Sequence, residues 1–317
     1  MAQTLKPRKN KSDTLGAKIK RHRSLIPFVV PAIAFAIVFC YLPMVGILIA
    51  FKDDPNFAKY GVINAFMRAD WTLEHFKTLF SDPEIMRYVR NTLIISVMKI
   101  VILFPMPVIL AVLISEVRSN GFSKLVQGIV FLPHFFSWVV IVGIFNSLFG
   151  IYGPVNSISG ALFGTDPVHY MAEPGLFRWL VVLLSGWKEI GYSSIVYIAA
   201  ITAIDPSLYE SARLEGASKL RQIWSITIPL IMPTIMTMLI IRIGYLMDAG
   251  FEQVQAMITT ATRDTGEIIG TYVYRLMSAG DQYGLSTAVG LVNGVIALLL
   301  ILAANKLSKK TMGTGIW

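Results

Sequence analysis

The residues best able to do chemistry in this chain are few, and they sit where charge is expensive. Lys188 lies inside a long apolar run, with Trp187 and Glu189 beside it and Tyr192 four residues on. Lys188 and Tyr192 therefore share a helix face. Arg242, Tyr245, Asp248 and Glu252 form a second group, within an arc of roughly 120° at 100° per helical residue. Ionisable side chains in hydrocarbon cost several kcal/mol unless paired or hydrated, and they often mark a pathway. Two polar stripes on separate helices suit a hydrated cavity for a polyhydroxyl solute. Carboxylates and amines bind hydroxyls there, while Trp and Tyr faces stack on the less polar side of a ring. A bundle lock, with Lys188 or Arg242 paired to Glu189 or Asp248, accounts for the same residues. Lys99 fits a snorkelling stem or an interfacial ion pair.

Other chemistries find no support. His134, beside Pro133, reads as a hydrogen-bonded core histidine with no second ligand at metal spacing. The single cysteine, Cys40, excludes a disulfide scaffold within the chain and a cysteine metal site. No nucleophile–base constellation stands out, so neither a catalytic residue nor a metal is expected. A P-loop needs a Gly-Lys dipeptide to cradle phosphates, and none occurs. Energy for any pumping would come from another subunit or a gradient.

The elements that must hold these residues follow from composition. The chain has 317 residues, 55% hydrophobic and 15% charged, with mean hydropathy +0.62, which excludes an ordinary soluble domain. Six apolar runs, 25–51, 91–115, 125–149, 179–204, 229–251 and 284–305, are each long enough for a bilayer core of about 30 Å. Backbone groups in hydrocarbon must bond internally, so all six read as helices, with Pro105, Pro107 and Pro233 as tolerable kinks. The first run is too long for a signal-peptide h-region, and no small-residue cleavage site follows it before Lys52.

The net charge of +9 suggests a nucleic-acid binder until its distribution is read. Tail 1–24 carries Lys6, Arg8, Lys9, Lys11, Lys18, Lys20, Arg21 and Arg23 against Asp13. With this tail inside, cytoplasmic segments hold 16 Lys+Arg and 5 Asp+Glu, while outer segments hold 9 and 12. The positive-inside rule thus puts both termini in the cytoplasm. The expected organisation is a basic tail (1–24), a six-helix domain (25–305) and a C-terminal tail (306–317) bearing Lys306, Lys309 and Lys310. Residues 71–80 read as an amphipathic outer helix with Trp71, Phe76, Leu79 and Phe80 down, on the membrane interface or over the bundle. Segment 150–175 reads as an ordered outer loop.

The cytoplasmic loop 205–228 is the most informative stretch. Asp205 is a good N-cap, and Pro206 takes the first helical position, where its missing N–H costs nothing. A short helix runs to Gly216, and a second, 217–226, precedes Pro229. Leu208, Ala212 and Leu214 offer an apolar surface ringed by Glu210, Arg213 and Glu215, suited to a groove on another protein.

Glu210-Ser211-Ala212, three residues, Gly216, nine residues, then Ile226-Thr227-Ile228-Pro229 resembles the coupling-loop signature of ATP-binding-cassette (ABC) importer permeases. Ser211 and Ile228 are mild departures from the family's Ala and Leu. The segments Asn91-Thr92, Leu132–Trp138, Gly186-Trp187-Lys188, Gly250–Val254 and Thr271–Arg275 are similar to the carbohydrate-uptake branch, of the polysaccharide and oligosaccharide type. The resemblance implies an all-α type I importer permease fold in a bacterial inner membrane, in contact with lipid and not nucleic acid. It implies that Glu210, Ala212, Gly216, Ala217, Ile226 and Pro229 couple to an ATPase. The implied partners are a second homologous permease (a heterodimer), two ATPase subunits and an extracellular or periplasmic solute-binding protein. No cofactor is expected on this chain; ATP and Mg belong to the ATPases. Glu252 and Gln253 would meet either the sugar or the binding protein. A gradient-driven secondary transporter is the alternative, but it would normally show repeated halves and broken helices, and the runs read as continuous.

Overall fold

The computed structural model describes residues 26–53, 55–280, 282–313 and 315; the basic tail 1–24 lies outside them. The described residues are helical, with one isolated β-bridge between Lys52 and Trp71. The chain divides into two compact units, residues 1–49 and 50–317. The first unit supplies most of helix α1 (Ile26–Phe51), whose mean hydropathy is 2.6. None of its side chains before Ala50 is buried.

The second unit contains α2 (Phe57–Arg68), α3 (Glu74–Ser81), α4 (Pro83–Ser115), α5 (Asn120–Phe131), α6 (Trp138–Phe149), α7 (Pro154–Phe163) and α8 (Pro174–Thr202). These are followed by α9 (Pro206–Leu214), α10 (Lys219–Gly244), α11 (Phe251–Met257), α12 (Ile269–Ala279) and α13 (Tyr283–Met312). Pro stands in the first turn of α4, α7, α8 and α9. A preceding Asp or Ser caps several helices: Asp82 accepts from the Glu84 amide at 2.8 Å, and Ser137 from the Val140 amide at 3.3 Å. Pro105 and Pro107 follow a π-turn at Lys99–Leu103, which absorbs their missing donors within α4.

The six continuous spans need revision. Five stretches among the described residues are long and apolar enough to cross a membrane: α1, α4, Trp138–Phe163, α10 and α13. Predicted span 179–204 falls in α8, which has the length but carries Arg178, Lys188 and Glu189. The reason is its place in the packing. Phe177, Val181, Leu184, Ser185, Gly191 and Ser194 are all buried, so one face of this helix is held against neighbours and can carry polar residues, while Trp179, Leu183, Ile195 and Val196 stay exposed. A Cβ at Gly191 would fall on the Val130 carbonyl, so α8 and α5 touch backbone to backbone. Predicted span 125–149 is interrupted: α5 tightens into a 3₁₀ turn, Leu132–Phe135, and the extended Phe136 and Ser137 precede α6. Predicted span 229–251 stops at Gly244, and residues 245–250 leave the helix before α11. Helices are therefore broken in this protein, where the runs read as continuous.

Helix α3 lies over the bundle. His75 and Leu79 are buried, His75 bonds the Lys52 carbonyl at 2.9 Å and abuts Gly284 of α13, while Trp71 and Phe80 stay exposed. Loop 150–175 is ordered by Asn156, whose amide nitrogen donates to Gly150 and Val168 carbonyls at 2.8 Å each.

Candidate functional site: a polar path and a cytoplasmic knob

The two helix breaks are where the intramembrane polar residues gather. A broken helix leaves carbonyls that hydrocarbon cannot satisfy, so side chains from neighbouring helices must take them. Around 245–250, Ser96 donates to the Leu246 carbonyl, Asn293 to Met247 at 3.5 Å and Lys99 to Ala249 at 2.9 Å. Lys99 also donates to Gln253 Oε1 at 2.8 Å, and Gln253, fully buried, donates to Val181 of α8 at 2.7 Å. Ala249 and Gly250 take left-handed conformations (φ 52° and 85°), and the second needs glycine because a Cβ there would sit 2.5 Å from Lys99 Nζ. Among the described residues Lys99 thus acts as a backbone clamp and forms no ion pair.

Lys188 plays the matching part at the other break. Its ammonium donates to the His134 carbonyl at 2.7 Å and to the Phe136 carbonyl, and it lies 5.3 Å from the Trp138 ring centroid. It is buried and bonds neither Glu189 nor Asp248. Its place is therefore that of a backbone clamp, outside the polar cavity, because a broken helix end offers better ligands than open water. Trp187 also faces elsewhere, packing edge-on against Phe145 at 5.6 Å and lining an apolar groove with Trp179, Met106 and Ile129.

The remaining residues converge. A cavity of about 260 Å³ is lined by Lys99, Glu189, Arg242, Tyr245, Asp248 and Gly250. A second, of about 300 Å³, shares Glu189, Asp248 and Gly250 with it and adds Trp138, Phe251 and Glu252. A third, of about 280 Å³, shares Arg242 and Tyr245 with the first and adds Tyr192, Tyr197 and Met238. The residues they share make the three cavities neighbours in one row, acidic at the Glu252 end and aromatic at the Tyr192 end. Between them Arg242 of α10 donates to Glu189 of α8 at 2.9 Å, both side chains partly exposed. Tyr192 stacks on His134 at 3.7 Å with rings nearly parallel, which fixes one wall. Glu189 and Trp138, not among the sequence-derived pathway residues, line these cavities, whereas Lys188 and Trp187 do not. The i,i+3 spacing of Glu189 and Tyr192 on α8 was the available signal.

The knob is built by local rules. Asp205 accepts from the Ser207 amide at 2.9 Å and opens α9. Its carboxyl is held below the usual range by that amide and by the Ser207 hydroxyl. Gly216 (φ 79°) ends α9: its N–H reaches the Arg213 carbonyl at 3.0 Å, and the Ala217 N–H reaches Ala212 at 2.9 Å. This 6→1 and 5→2 pair is a Schellman termination, which favours glycine at that position. Ser218 then caps the next helix. The second helix does not stop at residue 226: α10 runs on through a π-turn, Ile223–Thr227, which accommodates Pro229 without a break. Glu210, Gly216 and Pro229 are exposed, while Ala212, Ala217 and Ile226 are half-buried. Leu208, Leu214, Leu220 and Trp224 are exposed, Leu214 at 91%. Tyr209–Thr227 (2.9 Å) joins the knob's two helices, and Lys219–Glu116 (2.6 Å) ties the knob to the end of α4.

Broken helices around a polar path and an exposed two-helix knob define a membrane transport subunit, and residues 103–312 match the family of binding-protein-dependent transport system inner membrane components. The chain belongs to this family, a membrane permease component of ABC importers. It is 37% identical to the polygalacturonan/rhamnogalacturonan transport system permease protein YteP of Bacillus subtilis (strain 168), covering 98% of this chain and 95% of that protein. It is 36% identical to Protein LplB of the same organism, covering 95% and 93%. Among solved structures it is similar to a chain of a bacterial ABC transporter that imports the acidic polysaccharide alginate, with a TM-score of 0.85, 38% identity and coverage of 94% and 99%. A second structure of an alginate ABC transporter, in complex with its alginate pentasaccharide-bound periplasmic protein, gives a TM-score of 0.86 and 38% identity over 95% and 99%. The fold is that of an ABC importer permease, multi-pass in a bacterial inner membrane.

Proposed function

We propose that this chain forms half of the membrane pathway of an ATP-driven importer of oligosaccharides. It pairs with a second homologous permease, receives sugar from a binding protein and is driven by two ATPase subunits that carry the ATP and Mg; no cofactor sits on this chain. With α8 as the sixth span, both termini and the 205–228 knob lie on the cytoplasmic side. The observation that carries this reading is the knob: a two-helix projection bearing the coupling signature, whose Leu208, Leu214 and Leu220 stay exposed among the described residues. Glu210, Ala212, Gly216, Ala217, Ile226 and Pro229 belong to this coupling surface. Arg242, Tyr245, Asp248, Glu252, Tyr192 and Glu189 line the sugar path, Lys188 and Lys99 hold its walls, and Trp187 supports it from outside.

Mechanistically, closing the ATPases would carry the knob inward. Because α10 is continuous from Lys219 to Gly244, with a π-turn at Ile223–Thr227 and Pro233 inside it, that motion has a single helix by which to reach Arg242. Broken helices on their own suit a gradient-driven carrier, but that reading leaves the signature knob without a role. The test is substrate-stimulated ATPase activity of the assembled complex with Glu210→Ala or Gly216→Val. Stimulation should fall in both, and unchanged stimulation in both removes the coupling assignment.

A further inference from the structure

Of the cations this sequence offers to an anionic ligand, most are already committed. Lys188 holds two carbonyls, and Lys99 holds Ala249 and Gln253. Arg275 donates twice to Glu267, at 2.8 and 3.1 Å, and Arg263 lies 3.9 Å from the same carboxylate, which is only 3% exposed. Withdrawing Lys188, Lys99 or Arg275 would orphan a buried acceptor, so none of the three is exchangeable at low cost, and Arg263 shares its carboxylate with Arg275 and lines none of the three cavities. Arg242 differs. Its partner, Glu189, is a side chain on another helix, 29% exposed and already in the path, where water can receive it.

We propose that the Arg242–Glu189 pair is an ion-exchange gate that selects oligosaccharides bearing carboxylates. This rests on the oligosaccharide-importer reading and deepens it. The pair stands between the acidic and aromatic ends, because Arg242 lines both the central and the aromatic cavity and Glu189 lines both the central and the acidic one. A uronate carboxylate offers the guanidinium the same charge and geometry as Glu189, so it can replace Glu189 with no net loss of ion pairing. A neutral sugar offers only hydroxyls, and opening the pair for it strands two charges. Displaced Glu189 would share its cavity with Asp248, and like-charge repulsion returns it to Arg242 when the sugar moves on. The gate therefore resets itself, and the acidic walls on the Glu252 side keep the uronate from binding too tightly to leave.

The test uses the complete importer in proteoliposomes: this chain, its second permease, the ATPases and the binding protein. Uptake is measured for an oligogalacturonide and for the same oligosaccharide with its carboxyls reduced to alcohols. Each variant is read as a ratio to wild type for the same sugar, which cancels the binding protein's own preference. Arg242→Gln should cut acidic uptake about tenfold while reduced-sugar uptake rises or falls far less, because no ion pair is left for a neutral sugar to open, and Arg242→Lys should fall between for the acidic sugar, since it keeps the charge but loses the planar fork. Glu189→Gln should lower the half-saturating concentration of the acidic sugar about threefold, because the internal competitor is gone. Equal losses for both sugars in Arg242→Gln overturn the gate and make the pair a brace. Should Arg242→Gln fail to assemble, Glu189→Gln decides: an unchanged or raised half-saturation for the acidic sugar overturns the gate. A wild-type importer that moves neither sugar overturns the oligosaccharide reading beneath it.

Discussion

The cytoplasmic knob and the membrane path are built on opposite plans. In the knob most bonds are local: Asp205 caps Ser207, Ala217 closes on Ala212, and Gln222 donates to Ala217 five residues away. In the path, partners are far apart in sequence: 53 residues for Glu189–Arg242, 54 for Lys188–His134 and 150 for Lys99–Ala249. A locally built unit keeps its shape when it is pushed. A wall assembled from distant helices changes shape whenever those helices shift. That division suits a machine in which one part transmits force and the other opens and closes.

Breaking the path should therefore be far more damaging than breaking the knob. The largest effect is expected at Gly191→Ala, where the new methyl meets the Val130 backbone, which has no rotamer to give way. A cost of about 3 kcal/mol or more follows from overpacking a site that cannot relax, read as loss of folded protein on size-exclusion chromatography. Lys188→Met comes next. It leaves the His134 and Phe136 carbonyls without their donor, and about 2 kcal/mol should be lost from the thermal stability of the purified complex. A Met variant as stable as wild type would show that the clamp is dispensable.

The same substitution at two left-handed glycines sharpens the comparison. At Gly250 an alanine adds a clash with Lys99 Nζ to an unfavourable φ of 85°; at Gly216, φ is 79° and a Cβ meets nothing within 4 Å. Gly250→Ala should cost about 2 kcal/mol, and Gly216→Ala about 1, the bare penalty for left-handed backbone. The first should appear as lower thermal stability of the complex. The second should appear mainly as weaker ATPase stimulation, because the knob's outer surface changes while the bundle does not. Equal melting temperatures for the two variants would erase the distinction.

This contrast also explains what could be read from sequence. The knob's caps, its Gly216 stop and its exposed leucines follow from spacing within 20 residues, where N-cap and Schellman rules operate. The second helix was misjudged there only because a π-turn lets Pro229 continue it. Hydropathy located the apolar runs, α8 among them, but did not show which of its faces is buried, and it read through both breaks because Phe136-Ser137 and 245–250 lie inside otherwise apolar runs. Which charge does what was not legible. Lys188 and Glu189 are adjacent, yet a rotation of 100° aims one at a backbone break and the other into the path. Only the packing of α5, α6 and α10 around α8 separates their roles.

The smallest expected effect tests the knob's independence. The Asp205 carboxylate is stabilised by the Ser207 amide and hydroxyl, so its folded pKa lies below the unfolded one. A depressed carboxyl pKa contributes stability above the unfolded value, and that contribution fades as pH falls through the folded value. Hydrogen exchange in the first turn of α9, corrected for intrinsic rates, should stay flat down to about pH 4 and lose protection only below it. Asp205→Asn, which caps without titrating, should remove that acid dependence and leave path-lining amides of α8 untouched. Because the knob's bonds are mostly local, its cap should melt alone. Protection in α8 falling together with that in α9 would mean that the knob and the path are one cooperative unit, against the division drawn from their contacts.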